Sequence, residues 1–117
     1  MTLQQLFTQT QENYELIPQF LDQLLESEVY CLGVQDANNK TQFQVLETPD
    51  GEQAIPFFLE LESIYSAFGP QVQHFTINTR KMFEMTQGAT LVLNPTSELF
   101  KEFSPEEVQS ILDMDVE

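Results

Sequence analysis

Residues 88–112 read GATLVLNPTSELFKEFSPEEVQSIL, and the order of elements in this stretch decides the fold. Thr90 to Leu93 is apolar and β-branched, which suits a buried strand. Pro95 has no N–H to give to a ladder, and it pushes Asn94 out of the right-handed helical region, so the strand must stop there. Downstream, Ser104, Pro105 and Glu107 form a capping box with proline at the first helical position. Val108, Ile111 and Leu112 follow at helical spacing, which predicts a final helix from Ser104 to Leu112.

Working outward, Leu3, Leu6 and Phe7 open a first helix, and Ile17, Phe20, Leu21, Leu24 and Leu25 recur on one face of a second, with Pro18 in its first turn. VYCLGV, residues 29–34, is a short apolar strand followed by the turn cluster DANNK at 36–40. Phe43 and Val45 alternate toward the tight turn Thr48-Pro49-Asp50-Gly51, and residues 54–60 form the third strand of an antiparallel meander. In that strand Ile55, Phe57 and Leu59 point one way and Pro56 and Phe58 the other. Both faces are apolar, which implies a central strand covered on both sides. Leu61, Ile64, Tyr65 and Phe68 suit a short helix stopped by Gly69-Pro70. Residues 74–77 read as a fourth strand, 79–87 as a helix ending at Gly88, and 90–93 as the fifth strand. The expected fold class is α+β, with mixed α/β layers: about five strands with an antiparallel meander, and helices packed on the sheet.

Several of these segments, FLDQLLESEVY at 20–30, DGEQAIPFF at 50–58, IPFFLELESIYSAF at 55–68 and LVLNPTSELFKEFSPEEVQSIL at 91–112, resemble the N-terminal domain of the SseB family (enhanced serine sensitivity protein). The resemblance runs along nearly the whole chain. It rests on packing and turn motifs, so it implies a fold, a domain without an assigned reaction, and no active-site residue to carry over. Longer SseB-like proteins carry a second, C-terminal domain. Residues 1–117 are therefore expected to be a single SseB-like N-terminal domain, either a single-domain member or one domain expressed alone. DMDVE at 113–117 is expected to be a frayed acidic tail.

With 117 residues, 41% of them apolar, the chain is long enough for one domain that buries roughly two-thirds of its unfolded surface. Its one cysteine, Cys31, allows no internal disulfide, which points to a reducing cytoplasm. The first residues have no basic region, and no apolar run approaches the length of a membrane span. The charge balance is more distinctive: 19 acids against 4 bases give a net charge of −15 and a pI near 4.1. Residues 1–53 carry nine acids and one base, and residues 54–117 carry ten and three, so the halves hold −8 and −7. Such a surface repels nucleic acid and anionic membrane and attracts basic partners, although solubility alone would also account for it.

The residues offer little chemistry. Cys31 within VYCLGV reads as an inert core thiol, and His74, the single histidine, as a core-edge imidazole. No ligand spacing of the zinc or calcium kind occurs, no phosphate-cradling glycine motif is present, and no cofactor is expected. Glu47, Asp50, Glu52, Glu60 and Glu62 flank the second hairpin and leave the central strand, so they are expected to converge on one rim of the sheet, with Phe58 as a nearby aromatic. This rim is the candidate docking surface for a basic protein, and in its most specific form the chain would be an inhibitor or immunity protein covering a cationic cleft. The alternative is a binder or enzyme for an anionic metabolite, linked through the family phenotype to serine or sulfur metabolism, that uses Arg80, Lys81 and His74. The simpler reading of Arg80 and Lys81 is a salt bridge to a neighbouring acid.

Overall fold

The computed structural model describes residues 2–35, 41–47 and 50–114. The DANNK turn, Thr48-Pro49 and the last three residues of the tail lie outside them. Among the described residues are five α-helices, α1 (Leu3–Thr10), α2 (Ile17–Glu26), α3 (Leu61–Phe68), α4 (Thr79–Met85) and α5 (Pro105–Met114), with a 3₁₀ turn at Tyr14–Leu16 leading into α2. Seven strands accompany them: β1 (Glu28–Gln35), β2 (Thr41–Phe43), β3 (Leu46–Glu47), β4 (Gln53–Phe58), β5 (His74–Asn78), β6 (Thr90–Leu93) and β7 (Lys101–Phe103).

The helix starts follow from local chemistry. Thr2 and Gln5 form a reciprocal capping box on α1, and Asn78 Oδ1 accepts from the Lys81 N–H at 3.1 Å to cap α4. On α5 the Ser104–Glu107 box forms as its sequence dictates: Glu107 N–H donates to Ser104 Oγ, and Ser104 N–H to Glu107 Oε1, both at 3.2 Å. These bonds satisfy donors that the first helical turn leaves without partners. Helix α5 runs on to Met114, so Asp113, expected in the frayed tail, is helical and accepts from Gln109 Nε2 at 2.9 Å.

Strand β1 is the hub of the sheet. It pairs antiparallel with β5 from Glu28↔Asn78 to Leu32↔His74, with β4 at Tyr30↔Phe58 and Cys31↔Phe57, and with β2 from Gly33↔Phe43 to Gln35↔Thr41. Successive backbone groups of a strand point to opposite edges. Gly33 N–H donates to Gln73 O, on the β5 side, while Leu32 O accepts from Gln44 N. Strand β2 therefore shares the β4 side of β1. Because β3 pairs with β4 at Leu46↔Ala54 and Glu47↔Gln53, β1 and β4 meet directly and then part, with β2 and β3 filling the opening. Gly33 makes this corner: its φ is 129°, and a Cβ there would lie 2.0 Å from Gln42 O, a position that only glycine can occupy. On its other side β4 runs parallel to β6, from Ala54↔Thr90 to Phe57↔Leu93, and β6 pairs antiparallel with β7.

The expectation of five strands with a simple meander is thus corrected. The middle strand of the meander is broken into β2 and β3, the β4–β6 pair makes the sheet mixed, and β7 adds an edge strand. Strand β4 is central and covered on both faces, as its two-sided apolar pattern requires. One face packs Val29, Cys31, Phe57, Leu91, Leu93 and Phe103 against Leu6, Phe7, Phe20, Leu24, Phe83, Val108 and Ile111 from α1, α2, α4 and α5. On the other face α3 lays Ile64 on Leu32 and Phe58.

Asn94 closes the β4–β6 pair. It is buried and left-handed (φ 52°) rather than extended. Its N–H donates to Phe57 O at 2.8 Å, its Oδ1 accepts from Leu59 N–H at 3.3 Å, and its Nδ2 donates to Gln4 Oε1 at 2.9 Å. One side chain thus ties the end of β4 to α1 and starts the turn that carries the chain to β7.

Candidate functional site

The structure divides the expected acidic rim. Glu47, Asp50 and Glu52 are exposed around the β3–β4 hairpin, whereas Glu60 and Glu62 are exposed at the start of α3. The six residues of β4 separate the two groups, a distance of about 20 Å along the strand. Phe58 is 0% exposed beneath α3, so it is a core residue and not a surface aromatic.

Other acids join the hairpin group. Thr90 begins β6 beside Ala54, and Leu91 pairs with Phe103 at the end of β7, so the end of the sheet that carries the hairpin also carries the start of α5. Glu52, Glu102 and Glu107 line a shallow cleft of ≈ 400 Å³ there, with Thr90, Ser104, Lys101 and Phe100. Phe100 is 55% exposed and supplies the aromatic that Phe58 cannot. A second cleft, of ≈ 450 Å³, adjoins the first through Lys101, Ser104 and Glu107. Ile17, Leu21, Phe103 and Ile111 give it an apolar lining, and Glu106 and Ser110 complete it.

Lys101 stands between the two clefts. Its Nζ is 3.0 Å from Glu107 Oε2 and 5.6 Å from the centroid of the Phe103 ring, a cation held between a carboxylate and an aromatic face. Burial alone would raise the Glu107 carboxyl, but the hydrogen bonds from Lys101 and Ser104 and the lysine charge outweigh it and hold the group below the usual carboxylate range. Sequence reasoning missed this corner because Lys101-Glu102-Phe103 carries no periodicity of its own and becomes a strand only by pairing with β6.

The alternative constellation does not assemble. Arg80 pairs with Glu26 at 2.8 Å, the salt bridge expected of it, and Lys81 is exposed on the next position of α4. His74 lies at the opposite end of β5, its Nδ1 3.1 Å from Val72 O and its ring edge-on to Tyr65. Cys31 pairs in register with Phe75, so its side chain and that of His74 project from opposite faces of the sheet. Its thiol is fully buried, lies 3.3 Å from Met82 Sδ, and is pushed by burial up to about 12, which leaves almost no thiolate near neutrality. Among the described residues no three His, Cys, Asp or Glu side chains gather as metal ligands, and no helix is long and apolar enough to cross a membrane.

Fold and surface together define a small, strongly acidic mixed α/β domain with two adjoining clefts at the sheet end that carries the start of α5. A family model described as the SseB protein N-terminal domain matches residues 3–110, and the chain belongs to that family. It is 35% identical over 103 residues to protein SseB of Escherichia coli (strain K12) and, equally, to protein SseB of Shigella flexneri; each match covers 81% of this chain and 39% of the relative. The matched part thus spans well under half the length of these curated relatives. No solved structure matches the chain.

Proposed function

We propose that this chain is a non-enzymatic protein-binding domain of the SseB type that docks a basic partner on the corner formed by the β3–β4 hairpin, β7 and the start of α5. The observation that carries the reading is the meeting of Glu52, Glu102 and Glu107 around one cleft beside the exposed ring of Phe100, in a chain of net charge −15. With Glu52, Glu102 and Glu107 set against Lys101 alone, the cleft keeps a net negative charge that speeds the encounter with a cationic partner, and an exposed aromatic supplies the buried contact that slows dissociation. In its most specific form the reading is inhibitory: the domain covers a cationic cleft on its partner, as an immunity protein does. The lone cysteine fits a cytoplasmic setting, and the charge disfavours nucleic acid and anionic membrane as partners.

The test is affinity capture of the tagged chain from a lysate of its source cells, at low and at physiological salt, followed by reconstitution with the purified partner. The reading expects one stoichiometric basic protein, retained at low salt and weakened by added salt, whose association slows when Glu47, Asp50, Glu52 and Glu102 become amides. Empty capture at both salts, or a partner indifferent to salt and to these substitutions, refutes it.

A further inference from the structure

The acidic corner accounts for attraction but leaves the neighbouring apolar cleft between α2, β7 and α5 without a role. Its floor is an aliphatic and aromatic surface, Ile17, Leu21, Phe103 and Ile111, and Ile17 is 38% exposed at its edge. Glu106 and Glu107 stand on the α5 side. The cation in this cleft is the chain's own Lys101, which lies over Phe103 and pairs with Glu107. Phe103 is only 2% exposed under it. An aromatic face and a carboxylate held together are what recognises an ammonium or guanidinium group, and here the protein fills that position with its own side chain.

Resting on the docking function proposed above, we propose that this cleft receives a basic amphipathic segment of the partner, in which an aliphatic or aromatic residue enters beside Ile17, Leu21 and Ile111. A neighbouring Lys or Arg displaces Lys101 from Glu107 and pairs with Glu106 and Glu107. Charge complementarity selects this occupant. Both carboxylates favour a cation beside the apolar floor, and the net charge of −15 opposes a second copy of the chain. The Lys101–Glu107 pair is solvent-accessible and therefore cheap to exchange, so it acts as a weak internal competitor for the site.

The test is a titration of the isotope-labelled chain, followed by NMR, with a short synthetic Leu/Lys peptide of amphipathic helical spacing and with a matched peptide in which Ser replaces Leu. The proposal expects shifts from the Leu/Lys peptide concentrated at Ile17, Leu21, Lys101, Phe103 and Ile111, and weaker, diffuse binding of the Ser/Lys peptide. Ile17→Gln should weaken the Leu/Lys peptide about fivefold. Lys101→Met should tighten it about fivefold, and Lys81→Met, near the other end of α2, should do so much less. Equal binding of the two peptides, or shifts spread over the acidic surface, overturns the proposal. A captured basic partner that is weakened by the acid-to-amide substitutions and indifferent to Ile17→Gln leaves the docking function standing and overturns this cleft alone.

Discussion

Replacing Asn94 by alanine tests whether one buried side chain holds the β6–β7 connection in place. The substitution removes two side-chain hydrogen bonds, to Leu59 N–H at 3.3 Å and to Gln4 Oε1 at 2.9 Å, each contributing ~1 kcal/mol. It also puts a residue without the local tolerance of Asn at φ 52°, which costs ~1 kcal/mol more. The expected destabilisation is about 3 kcal/mol. With a slope of about 2 kcal/mol per molar urea for a domain of this size, the unfolding midpoint falls by about 1.5 M with the slope unchanged. Asn94→Gly loses the same bonds but escapes the left-handed strain at some cost in unfolded-chain entropy, so it should be about 0.5 to 1 kcal/mol more stable than the alanine variant. Urea unfolding of the three proteins decides the matter. An alanine variant within about 0.5 kcal/mol of the parent, or one at least as stable as the glycine variant, refutes the reasoning.

Further outcomes are expected at Gly33, Cys31, Glu107 and Ser104. Gly33→Ala should unfold or severely destabilise the domain, because its Cβ meets the Gln42 carbonyl and the φ of 129° is closed to alanine; circular dichroism on heating will show a lowered midpoint or no transition. The raised Cys31 pKa adds stability that is complete below the ordinary thiol value of 9.0 and is lost as pH rises from there toward about 12. The stability advantage of the parent over Cys31→Ala should therefore shrink by about 1 kcal/mol at a pH one unit above the ordinary value, and native Cys31 should resist alkylation until the chain is unfolded. Glu107 works in the opposite direction: its carboxyl is held down, so its contribution is present above the ordinary value of 4.5 and lost as pH falls through the lowered one. The stability difference between the parent and Glu107→Gln should vanish in acid, and Ser104→Ala should cost about 1 kcal/mol at neutral pH through loss of the cap.

The parts of the fold written in local chemistry were legible in the sequence. The S-P-E-E box, the helical spacing of Ile17 to Leu25 and the two-sided apolar pattern of residues 55–59 each fix an element without help from distant residues. Strand β7 was not legible because Lys101-Glu102-Phe103 offers one apolar side chain and no alternation; its pairing with β6 forms it. The break between β2 and β3 likewise depends on Gly33, a residue of the neighbouring strand. The alternation rule put Phe58 on the face opposite Phe57, but that α3 would cover that face completely is a tertiary fact. The acidic rim failed as a single surface because residues close in sequence are held apart by the strand between them, while Glu52, Glu102 and Glu107 come together across three strands. The cleft between α2, β7 and α5 draws on three distant segments and leaves no trace in any one of them.

The measurement that bears most directly on the docking function is the association rate of the captured, purified partner as a function of ionic strength. It should be made for the parent chain, for the hairpin and β7 variant with Glu47, Asp50, Glu52 and Glu102 as amides, and for the α3 variant with Glu60 and Glu62 as glutamines. The account predicts a steep fall with salt for the parent, a slower and flatter dependence for the first variant, and parent-like kinetics for the second. Identical kinetics in all three, or a loss confined to the α3 variant, would contradict the assignment of the docking surface to the sheet end that carries Phe100.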